Sequence, residues 1–194
     1  MNAQTRATDH RATAYAYDAM AHNPADRNVI RSYDRLALET IAQWAAITAS
    51  GLTVEFFTGE ARYASSADLF TDLAKGHLWS LLTDVSRLAH DHPMLAPLPS
   101  LVPAHPYLVL NDVFRAVHDV NGHGISKGSF GVNGEMKAWQ THREMYSPTA
   151  HAALWCETRG QAAWTNAYGD HAALPLPQRP FAVQKAGMPP IEFI

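Results

Sequence analysis

The chain of 194 residues contains a single cysteine, Cys156. One thiol excludes an intrachain disulfide framework and any zinc site built from several thiolates. Charge is sparse as well: 17% of residues are charged and the formal net charge is -3. Without a basic excess, general nucleic-acid binding by phosphate neutralisation is not expected. No apolar run approaches the roughly 20 residues that a membrane-spanning helix needs. Residues 1–10 are polar and lack the apolar stretch of a secretory leader. No membrane partner is therefore expected, and the cytoplasm is the expected location. Two catalytic signatures are also missing. There is no GxxxxGK[ST] phosphate loop and no HExxH zinc motif.

What is present suits a compact globule, with 47% apolar residues in a length that supports one core. A single domain over 1–194 is expected, with 1–11 frayed and the proline-rich 175–194 running as an extended tail over the surface. The pattern predicts a mainly α fold: a single-domain helical bundle with at most a small β element. Helices are predicted over 12–20, 26–50, 67–75, 110–120, 135–146 and 149–168. In 26–50, Ile30, Tyr33, Ala37, Ile41, Trp44 and Thr48 recur at helical spacing. The stretch TVEFF at 53–57 reads as a strand, and HLWSLL at 77–82 suits either strand or helix. Five prolines between 87 and 106 predict an ordered loop or lid.

Residues 111–161 carry the chemistry. His118, Asp119, His123, Glu135, His142 and Glu157 fall on segments that otherwise read as apolar helices. Burying imidazoles and carboxylates alone is costly, and a bound cation removes that cost by taking up their charge and lone pairs. Along a continuous helix Asp119 and His123 share a face, with His118 turned about 100° away. Gly122 is a place for that helix to end. Glu135 and His142, two turns apart, point the same way.

All six residues are thus candidate ligands of a divalent metal. Imidazole with carboxylate and no thiolate suits iron foremost, then manganese or zinc. Asp119, Arg159 and Gln161 are the catalytic candidates. Arg159, Trp139, Tyr146 and His77 are the candidates for holding a small-molecule substrate, Arg159 by gripping an acidic group bidentately. Ser126, Lys127 and Gly128 read as a mobile loop beside the site. Cys156 reads as a buried small apolar side chain.

Three resemblances arise from these residues. FRAVHDVNGHG resembles the metal-binding helix of HD-domain phosphohydrolases, which implies His118 and Asp119 as ligands. It also implies an upstream His (His77, His90 or His92) and a downstream Asp, for which only Asp170 remains. More broadly, YDAMAHNPADRNVIRSYDRLALETIAQW, GLTVEFF and the series FRAVHD-x3-GH…GE…AW..H..MYSP…ETRGQ..W resemble an uncharacterised family of phage and bacterial genomes. That resemblance covers roughly residues 15–164 and implies a single-domain unit. The ligand types are also similar to those of haem-oxygenase-like di-iron oxidases, although here the His/Asp/His cluster comes first in the chain.

The expected activity is that of a non-haem iron oxidase or oxygenase, with one or two irons, acting on a small organic molecule. An HD-like hydrolysis of a nucleotide or phosphoester is the alternative. A third is a non-enzymatic phage or mobile-element protein whose polar cluster is structural.

Overall fold

The structure is a computed structural model that describes residues 9–175 and 178–194. The fold is mainly α, a single-domain helical bundle carrying one two-stranded sheet. Helix α1 spans His10–Ala19, with Asp9 accepting from the backbone of Arg11 and Ala12 at its start. Residues 9–11 are therefore ordered, because the cap satisfies N–H groups that a frayed end would leave to water. The expectation of fraying over 1–8 lies outside the described residues.

Helix α2 spans Arg27–Ala49 and is capped by Asp26. Gly51 follows it at φ +87, the left-handed conformation that suits a glycine stop. Its buried stripe is Val29, Ser32, Tyr33, Leu36, Thr40, Trp44 and Ile47. This is not quite the expected one, for Ile30 is 44% exposed. The stripe was rotated because two buried hydroxyls belong to it. Ser32 Oγ accepts from the Ala153 N–H, and Thr40 Oγ1 pairs with the Tyr146 hydroxyl.

Strand β1 (Thr53–Phe57), helix α3 (Ser66–Ala74) and strand β2 (His77–Leu81) form a β–α–β unit. The two strands pair in parallel, Thr53 opposite His77 through Phe57 opposite Leu81. The ambiguous 77–82 stretch is thus a strand. Gly76, at φ +77, ends α3 and turns the chain back beside β1. The proline-rich loop after it is ordered by two single 3-10 turns, Val85–Arg87 and Pro93–Leu95.

Helix α4, Leu110–His118, is central. Every residue of it except Arg115 is buried. Leu110 and Phe114 pack into a cluster with α1 and α2, including Tyr17, Tyr33 and Leu36. Val113, Ala116 and Val117 pack into a second cluster with Leu69 of α3 and Leu78 of β2. A helix apolar on both sides belongs in the interior.

The helix does not end at Gly122. It continues as a π-helical turn over Asp119–Gly124. Helix α5 spans Val132–Arg143. Helix α6, His151–Trp155, runs through a second π turn, Cys156–Gly160, into α7, Gln161–Ala167. Pro148 opens the 3-10 turn before α6, where its missing N–H costs nothing.

The C-terminal segment departs from expectation. It does not merely cover the surface: Ala182, Ala186 and Phe193 are buried in the main core, and Gln184 bridges to Leu88. Small and aromatic side chains between the prolines supply that apolar contact. Residues 176 and 177 of the expected tail lie outside the described residues. Among the described residues no helix is long and apolar enough to cross a membrane.

Candidate metal centre

Three of the six expected ligands meet. One ligand atom each from His118, His123 and Glu135 lies within 4.8 Å of the others. His123 Nε2 is 3.4 Å from Glu135 Oε2, and His118 Nε2 is 4.0 Å from the same oxygen. The π turn is what allows it. Five residues along an α-helix amount to a rotation of roughly 140° beyond one turn, which would aim the two imidazoles apart. A turn closed by i→i+5 bonds absorbs the extra residue, and the two rings come to 5.1 Å between centroids. The expected face, Asp119 with His123 and without His118, is therefore replaced by His118 with His123. Gly122 makes room: a Cβ there would stand 2.8 Å from the His118 ring.

Hydrogen bonds behind the rings fix which nitrogens face the centre. Gly128 O accepts from His123 Nδ1 at 2.9 Å, leaving Nε2 toward Glu135. Gln43 Oε1 accepts from His142 Nε2 at 3.0 Å. His142 Nδ1 is then a lone pair, and it accepts from His118 Nδ1 at 2.9 Å. His118 Nε2 is left buried with no hydrogen-bond partner. A carbonyl behind one imidazole and an oriented histidine behind the other are how metal sites set ligand tautomer and basicity.

His142 is thus a positioning residue behind His118, and both of its nitrogens are engaged. Beside the 126–128 loop, Gly128 and Gly134 pass so closely that a Cβ on Gly128 would collide with the Gly134 carbonyl.

The electrostatics agree with a cation seat. Burial disfavours the His123 imidazolium, but the hydrogen bond and charge of Glu135, with the charge of Asp119, outweigh it and raise the pKa to about 9. Burial likewise opposes the Glu135 carboxylate, yet His118 and His123 hold it at about 2. In the absence of a cation, His123 and Glu135 stabilise each other's charged forms. Asp119 is not one of the three. Burial raises its pKa against the pull of His123, His118 and Arg115.

Glu157 faces the centre from across a cavity of about 230 Å³ lined also by His118, Phe130, Glu135, Gln161 and Phe181. Glu157 and Gln161, one helical turn apart, share that wall. Tyr33 donates its hydroxyl to Glu157 Oε1, His92 Nε2 lies 3.4 Å from the same oxygen, and Oε2 has no partner. Burial pushes the Glu157 pKa up to about 8, despite the Tyr33 hydrogen bond. His92 is held down at about 4, by burial first and the His22 charge second.

The other expected site residues lie elsewhere. Arg159, two positions after Glu157, is wholly buried and donates to Thr13 Oγ1 of α1. It does not line the cavity, and burial lowers its pKa to about 10. Trp139 belongs to the main core. Tyr146 is bonded to Thr40 and packs edge-on to His142, 4.9 Å between centroids. His77 sits on β2 with Glu55 as its partner. Cys156 is buried as expected, and burial raises its thiol pKa.

Tyr33 and Gln43 were not anticipated as site residues, and His92 only as an upstream ligand that the HD-domain resemblance implied, whereas it stands beside Glu157. Tyr33 sits at a core position of an amphipathic helix, His92 in a proline-rich loop, and Gln43 meets His142 across 99 residues. Around Tyr33 and Gln43 only the helical recurrence of 26–50 was readable. Neither a family model, nor a curated protein, nor a solved structure matches this chain. What fold and site define together is a mainly α protein with a group of two histidines and one glutamate that could hold a metal ion.

Proposed function

We propose that the protein is a metal-dependent enzyme, a non-haem iron oxidase or oxygenase acting on a small organic molecule. The observation that carries the reading is the donor set: two Nε2 lone pairs and one carboxylate converging beside a cavity. Two histidines and one carboxylate with open positions is the ligand set that suits iron(II) and dioxygen chemistry. When bound, such an ion supplies one-electron chemistry with dioxygen as the oxidant. His118, His123 and Glu135 hold it. Glu157, with its pKa near neutrality, holds or yields a proton at the facing wall. Phe130 and Phe181 are apolar groups of the cavity lining.

Anaerobic titration with iron(II) tests the reading. One equivalent should bind, and admission of air should produce an absorbance change together with oxygen consumption. His118→Ala and Glu135→Ala should each abolish stoichiometric binding. Full retention of iron by either variant would remove that residue from the centre. Failure of the wild type to bind any divalent metal, with melting unchanged by a chelator, would return the cluster to a structural role.

Metal-assisted hydrolysis of a phosphoester is the second reading. Glu157 favours it, since a carboxyl with pKa about 8 opposite a cation suits general acid–base work on a bound water. Hydrolysis of a model phosphodiester with manganese, and no oxygen uptake with iron, would select it.

A further inference from the structure

Beside the cavity at the metal centre lies a second one, of about 310 Å³. Gln161 and Phe181 line both, so the two spaces share a wall made of two side chains. The amide of Gln184 donates to Gln161 Oε1 at 3.2 Å, and its own Oε1 is buried without a donor. Gln184 lines the second cavity and is 7% exposed.

The second cavity is lined by Arg115, the one residue of central helix α4 that is not buried. Arg115 Nη1 donates to Leu81 O at 3.0 Å, which fixes the guanidinium against the end of β2. Among the described residues it pairs with no carboxylate. Arg87, also on the chamber wall, is neutralised by Asp84, 3.2 Å away, and lies over the Phe181 ring. The cavity therefore offers one positive charge that no ion pair holds, felt also by the Asp119 carboxyl. Arg115 precedes His118 by one turn of the same helix, so the charge and the metal centre are neighbours on α4.

We propose that the two cavities are the two ends of one substrate channel and that the substrate is an amphipathic monocarboxylate. Its carboxylate is held by Arg115 in the second cavity, and its chain passes Gln161 and Phe181 toward His118, His123 and Glu135. A planar guanidinium with free N–H groups matches a carboxylate in a two-point grip. One net positive charge suits a monoanion better than a phosphate dianion. Phe130 and Phe181 give the chain apolar walls, and the polar rim orients the head. The reacting end rests on the metal-enzyme reading above; the carboxylate seat does not.

Calorimetric titration of metal-free protein with octanoate and with 1-octanol tests the seat. Octanoate is expected to bind one per chain and at least tenfold more tightly than octanol. Arg115→Gln should weaken octanoate at least tenfold and leave octanol unchanged, with Arg115→Lys intermediate. Equal binding of octanoate and octanol by the wild type would overturn the proposal, and it does so even if Arg115→Gln fails to fold. Unchanged octanoate affinity in a folded Arg115→Gln protein would overturn it too.

The reach of the chain is read with cobalt(II)-loaded protein. Octanoate should perturb the cobalt absorbance in wild type and not in Phe181→Trp, whose larger ring fills the shared wall. Perturbation that survives in both, or is absent from both, would overturn the channel. Cobalt titration without octanoate separates the two readings. Loss of cobalt binding with an intact octanoate preference defeats the metal centre and leaves the seat. Cobalt binding without that preference does the reverse.

Discussion

His142 shows how a side chain's role is decided by what stands behind it. Seven residues after Glu135 on the same helix face, it has the spacing of a ligand. Its two nitrogens, however, are taken by Gln43 and by His118. The carboxamide of Gln43 also accepts from Asn121 Nδ2 at 2.7 Å, so one oxygen on α2 anchors two parts of the site. If this chain of bonds presents the His118 lone pair, Gln43→Leu should weaken cobalt(II) affinity by about 10–100-fold, the usual cost of losing a group that orients a ligand. Its melting temperature without metal should stay close to that of wild type. Unchanged affinity would show that His118 is oriented by packing against Phe114 alone, whose ring is stacked on it at 6.1 Å between centroids.

Elements of regular period were legible, and the irregular turns between them were not. Asp26, Gly51, Ser65, Gly76 and Pro148 announce helix ends through backbone chemistry that needs no distant partner. The two π turns give no such local sign. The expectation that Gly122 ends a helix fails because continuing the helix keeps its N–H and C=O groups paired in the interior.

The functional weight of the first π turn can be tested by changing its length. Inserting one alanine after Val120 should rotate His123 out of register and abolish stoichiometric metal binding, with little loss of helical circular dichroism. Deleting Val120 should convert the turn to an α-helix in which the two imidazoles, now four apart, still share a face. Metal binding should then survive within about tenfold, a 1.4 kcal/mol difference. The opposite ranking of the two variants would show that the bulge, not the spacing, makes the site.

Across the whole molecule the centre ties α2, α4 and α5 together, so ion binding and folding are linked. The sign of the pH dependence follows from the metal-free pair. His123, raised to about 9, contributes stability that is complete below its unfolded pKa of about 6.5 and is lost as pH rises through about 9. Glu135, lowered to about 2, contributes stability that is present above its ordinary value of 4.5 and lost as pH falls through about 2. A divalent ion must displace the His123 proton. Its affinity should therefore climb about tenfold per pH unit from neutrality to about pH 9, then level off. Thermal melting with and without cobalt(II) checks this: the stabilisation by metal should be larger at pH 8.5 than at 6.5. A metal-induced shift independent of pH would mean that His123 is not a ligand.

The kinds of side chain at the centre, and the helices that carry them, follow from residue type and local spacing. His118, His123 and Glu135 could be named because imidazole and carboxylate are costly on an apolar helix wherever that helix lies. Which of the six candidates converge was decided by packing. The phase of a π turn, the carboxamide behind His142, the sealing of Arg159 against α1 and the return of the C-terminal segment into the core all depend on contacts between residues far apart in the chain. Local physics sets the period of an element. Only the closing of the core sets its rotation and ends, because there every buried polar group must find its partner.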